Sequence, residues 1–114
     1  RFENVPTEKN LSKVRDGAAR LAREYPFVER WQFGSEFFGT YPTEFWSPDG
    51  VVSNAYRNYA MILKAFGEGI KSVCPEKPYA GDDPWNLNPD KGIAEIEGIL
   101  AAAEMFDLKI YQKR

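Results

Sequence analysis

The chain has 114 residues, yet it contains no histidine, one cysteine and no long apolar run. Without histidine there is no Ser-His or Cys-His nucleophile pair, no His-ligated metal and none of the usual protonation switch near neutral pH. Cys74 alone can form neither an internal disulfide nor a zinc site, so cysteine usage leaves the compartment undecided. No apolar stretch approaches the roughly 20 residues of a membrane-spanning helix. The chain therefore reads as soluble, and at most peripheral to a membrane assembly. A basic excess is missing as well: the net charge is -2 and the isoelectric point lies near 5.2, no electrostatic footprint for gripping phosphates. Nucleic acid is not an expected partner. Glycines 34, 39, 67 and 69 fit neither GxGxxG nor GxxxxGK[ST], which removes nucleotide binding.

The chain begins Arg-Phe without a methionine and shows no signal or transit pattern. It reads as either an excised piece or a mature form whose targeting segment has been removed. The second reading is the expectation here, and it places the protein in the interior of an organelle.

What the chain has in surplus is aromatic side chains. Nine of its seventeen aromatics fall within the twenty-two positions from Tyr25 to Trp46, YPFVERWQFGSEFFGTYPTEFW. Each can bury on the order of 150 to 250 Å², more than a short segment hides within itself. Either the chain's own helices or a partner must cover them. Pro26, Gly34, Gly39 and Pro42 forbid a long helix and predict short turns, with Phe27 and Trp31, four apart, on one helical piece.

Around this centre the apolar periodicity predicts three longer helices. Leu11, Val14, Ala18, Leu21, Ala22 and Tyr25 form the inner stripe of a helix over 8–25. Lys13, Arg15, Asp16, Arg20 and Arg23 point outward. Thr7 or Asn10 caps its start, Pro26 ends it, and Gly17 marks a close crossing. A second helix is expected over 48–74, with Ser47 as cap and Pro48 at its first position, although Ser47-Pro48-Asp49-Gly50 also fits a turn. Its stripe runs Val52, Ala55, Tyr56, Tyr59, Ile62, Leu63, Phe66, Ile70 and Val73, and Gly67 and Gly69 are expected to bend its end. A last helix is expected over 89–110 on Ile93, Ile96, Ile99, Leu100, Ala103, Phe106 and Ile110. Residues 1–6 read as an extended arm, and 75–88 as a Pro-rich ordered connector pinned by Tyr79, Trp85 and Leu87. The fold expected is a single all-α domain over 1–114, an irregular three- to four-helix bundle around aromatic turns.

Candidate chemistry is sparse. Asn86, Asn88, Asp90 and Glu97 occupy positions 1, 3, 5 and 12 of an EF-hand-type calcium loop, but Lys91 stands where a glycine is needed and only two carboxylates contribute. A helix cap explains Asn88 and Asp90 without metal, so no metal and no cofactor is expected. Glu36, Glu44 and Asp49 lie among aromatics of the kind that stack on sugars, yet nothing in sequence sets the separation a glycosidase pair requires.

The function expected is a non-enzymatic accessory or structural subunit, docking on other protein subunits of a larger complex. The docking residues expected are Trp31, Phe33, Phe37, Phe38, Tyr41, Phe45, Trp46, Tyr79 and Trp85, because large aromatics dominate binding hot spots. The alternative is a small-molecule domain whose aromatic-lined pocket takes a pigment, lipid or sugar. A carboxylate-based hydrolase is the third reading.

Overall fold

A computed structural model of the chain describes residues 6–33, 47, 49–81, 90 and 97–102, with only the backbone at 52 and 53. The arm before Pro6, most of the aromatic stretch and most of the last expected helix lie outside the described residues, as does the connector beyond Gly81.

Helix α1 spans Glu8–Glu24, and Thr7 caps it by accepting the Asn10 N–H on its hydroxyl at 3.2 Å. Glu8 in the first turn and Arg23 in the last both complement the helix dipole. Tyr25 closes the helix with its N–H on the Leu21 carbonyl at 2.9 Å, and Pro26 has no N–H with which to continue. Ala18 and Ala22 are buried, with Leu11 and Val14 half-buried beside them. Leu21 and Tyr25, expected on the same inner stripe, are exposed instead. Leu21 lies about 60° round the helix from Ala18, at the edge of the seam, and Tyr25 follows the last helical residue, Glu24.

Two-residue strand β1, Trp31–Gln32, comes next, followed by helix α2, Val52–Val73, and strand β2, Tyr79–Ala80. At 1.5 Å per residue α2 is about 33 Å long, and it supplies most of the core: Ala55, Tyr59, Ile62, Leu63, Phe66 and Ile70. It starts later than expected. The Gly50 N–H bonds the Ser47 carbonyl at 2.9 Å, and Gly50 sits at φ 72°, a left-handed conformation that no α-helix contains. The turn reading of these residues therefore prevails over the helix start. Asp49 holds the junction through the Val51 N–H and the Asn54 amide, each at 2.9 Å, while buried Ser47 donates its hydroxyl to the same carboxylate.

The two helices cross at Gly69, not at Gly17. A Cβ at Gly69 would meet the Arg15 carbonyl and stand 2.8 Å from Ala18 Cβ, whereas one at Gly17 would meet nothing within 4 Å. Gly67 plays the same part for the Tyr79 ring, and α2 runs unbroken through both glycines to Val73. Arg15, expected to point outward, lies half-buried on the seam, its guanidinium 3.0 Å from Glu68 and 3.5 Å from Glu8. Residues 97–102 are helical; Ile99 and Ala102 are buried, Leu100 is exposed, and Gly98 makes room for the Tyr56 ring.

The described structure is mostly helical, as expected, but not purely so. Trp31 pairs with Tyr79 and Gln32 with Ala80 in a parallel sheet, with α2 in the connection between the strands. Flanking bonds run from the Trp31 N–H to the Pro78 carbonyl and from the Phe33 N–H to the Ala80 carbonyl, at 3.2 and 3.0 Å. Trp31 and Phe33 are half-buried while Gln32 between them is exposed. That alternation is a strand's, and it replaces the helical piece expected to carry Phe27 and Trp31.

Candidate functional site

The aromatic residues divide into an inner layer and an outer corner. In the inner layer the Phe33 ring lies 5.9 Å from Tyr59 and 5.2 Å from Phe66, and Phe66 meets Tyr79 edge-on at 6.5 Å. The Tyr59 hydroxyl donates to the Phe33 carbonyl at 2.7 Å, which locks β1 onto α2. Burial pushes the Tyr79 hydroxyl above the ordinary tyrosine range, and the nearby charge of Glu68 pushes it further. Trp31, Phe33 and Tyr79, three of the expected docking residues, thus pack partly buried against the helical core. The Trp31 indole N–H is buried and finds no acceptor among the described residues. Phe37, Phe38, Tyr41, Phe45, Trp46 and Trp85 lie outside the described residues.

The outer corner forms where α1 stops. The Val28 N–H bonds the Tyr25 carbonyl at 3.1 Å, closing a four-residue turn with Pro26 at its second position, where proline's fixed φ is favoured. Across the chain, the Lys77 ammonium donates to the Pro26 carbonyl. This tied turn projects Phe27, which is 74% exposed, beside Tyr25 at 45%. Their rings stand edge-to-face at 6.1 Å, and exposed Leu21 lies one helical turn behind. The sequence reading left all three out of its docking set, having placed Leu21 and Tyr25 on a buried stripe and Phe27 on a short helix. The signal that could have found them is Tyr25-Pro26-Phe27 itself, a proline-set turn carrying an aromatic on each side.

Two shallow hollows open on the described surface. One, of about 250 Å³, is lined by Leu11, Arg15, Met61, Lys64, Ala65 and Glu68. The other, of about 480 Å³, is lined by Ser47, Asp49, Asn54, Arg57, Asn58 and Met61. No described aromatic lines either one, so neither is the aromatic pocket that the small-molecule reading requires. Asp49 is poorly suited to act as a general acid. Ser47's hydroxyl, the Val51 N–H and the Asn54 amide hold its carboxyl below the ordinary aspartate range, whereas a general acid must keep its proton at working pH. Among the described residues no three Cys, Asp or Glu side chains cluster in a way that could hold a metal ion. Nor is any described helix long and apolar enough to cross a membrane.

Compared with known protein families, curated proteins and solved structures, the chain matches none of them. The functional reading therefore rests on the residues themselves.

Proposed function

We propose that this chain is a non-enzymatic accessory or structural subunit that docks on other proteins of a larger assembly, with the corner of Tyr25 and Phe27 at the contact. The observation carrying this reading is the 74% exposure of Phe27 on a turn that is already tied at both sides. A large apolar ring left in water on an ordered turn loses little conformational freedom on binding, which is the economical way to build an anchor. On the same reading the whole chain is an irregular bundle of three to four helices. Phe37, Phe38, Tyr41, Phe45, Trp46 and Trp85 extend the contact surface.

Magnitudes show that the corner cannot act alone. Covering both rings removes on the order of 200 Å² from water, about 5 kcal/mol at roughly 25 cal/mol per Å². Association itself costs an estimated ~4–15 kcal/mol, so further contacts must contribute.

The test is affinity purification of the tagged chain from its native source, in wild-type and Phe27→Ala forms. The wild-type chain should bring down a stoichiometric set of proteins, and Phe27→Ala should weaken that association by about 2 kcal/mol or more without lowering the melting temperature. Retention of the same set by the variant would contradict the reading. Recovery of a bound small molecule in place of proteins would turn it toward the ligand-binding alternative.

A further inference from the structure

The outer face of α1 carries Lys9, Lys13, Asp16, Arg20 and Arg23, all exposed. Their separations alternate between four and three residues. At 3.6 residues per turn they fall within a sector of about 80°, a straight stripe about 21 Å long. Four of the five are cations, on a chain whose net charge is -2. Among the described residues only Arg20 is engaged, at 3.8 Å from Glu24, and Lys9, Lys13 and Arg23 make no hydrogen bond or ion pair there. Lys9 with Lys13 and Arg20 with Arg23 are like charges at helical-neighbour spacing, an arrangement that destabilises an isolated helix. The opposite face of α1 is already occupied by α2.

We propose that this stripe binds an acidic helix face on a protein partner. Partner carboxylates meet Lys9, Lys13, Arg20 and Arg23, and one partner cation meets Asp16. The inference rests on the docking reading above and names the chemistry of the partner. Charge complementarity sets its sign, since acidic groups relieve the repulsion among clustered cations. Asp16, in the middle of the stripe, distinguishes a protein from an anionic lipid surface. A lipid surface presents negative charge uniformly and repels Asp16, whereas a protein can place a single lysine or arginine opposite it.

The experiment uses the full chain in its native assembly. Zero-length carbodiimide coupling, mapped by mass spectrometry, should join the Lys9 or Lys13 amine to Asp or Glu side chains of one partner at helical spacing. The double variant Lys13→Glu/Arg20→Glu, all at exposed positions, should keep its melting temperature and lose at least about tenfold in affinity, with the wild-type interaction weakening as salt is raised. If the double variant retains the assembly while Phe27→Ala releases it, the acidic-partner inference is overturned and the docking reading stands. If no assembly is recovered with the wild-type chain, both fall. Binding of the wild-type chain to phosphatidylserine vesicles, strengthened by Asp16→Lys, would overturn the protein partner in favour of a lipid surface.

Discussion

Leu63 has no exposed surface and belongs to the cluster that joins α2 to α1 and β1. Its replacement by alanine should lower the unfolding free energy by about 2–5 kcal/mol, read by denaturant titration. A change under about 1 kcal/mol would show that the core is not where the fold puts it. Asp49 gives a second expectation at this scale. Its folded pKa is depressed, first by the Ser47 hydroxyl, then by the Val51 N–H and the Asn54 amide. A depressed carboxyl stabilises the fold above the unfolded aspartate range, and that contribution is lost as pH falls through the folded value. Asp49→Asn should therefore flatten the acid side of the stability curve, measured as melting temperature from neutral to acidic pH. An unchanged acid limb would mean that the carboxylate does not hold the 47–50 turn.

The contact between α1 and α2 makes a prediction of opposite signs at two glycines. Gly69→Ala forces a methyl group against the Arg15 carbonyl, a backbone atom that cannot swing aside, and should destabilise the domain by about 1–3 kcal/mol. Gly17→Ala meets open space in mid-helix and should stabilise it by roughly 0.5–1 kcal/mol. Thermal unfolding of the two variants checks both; the same sign for both would contradict the crossing. The sequence could not separate them, because each is a glycine inside a helical period and only the partner helix decides which one is crowded. The periodicity of α1 and α2 was legible, as was Pro26 as terminator, while the cap of α1 was narrowed to Thr7 or Asn10 and only the bond from the Asn10 N–H to the Thr7 hydroxyl decides between them. The start of α2 was ambiguous because serine, proline and aspartate suit both a cap and a turn, and Gly50's positive φ becomes visible only in the backbone. The parallel pairing of Trp31 with Tyr79 joins residues forty-eight positions apart, beyond the reach of local pattern.

At the scale of the whole molecule, the surplus of aromatics was plain from composition, but its division was not. Phe33 goes inward because Tyr59 and Phe66 lie opposite it, and Phe27 stays outside because Pro26 turns the chain away at the end of α1. Residue type is the same in the two cases; the turn separates them. If the chain docks as proposed, the corner of Tyr25 and Phe27 is open in the isolated chain and covered in the assembly. Hydroxyl-radical footprinting of the two states, read residue by residue in a mass spectrometer, addresses it most directly. Tyr25 and Phe27 should be strongly oxidised in the isolated chain and markedly protected in the assembly, with Tyr59 and Phe66 protected in both. Equal oxidation of the corner in the two states, or protection already present in the isolated chain, would contradict the docking proposal.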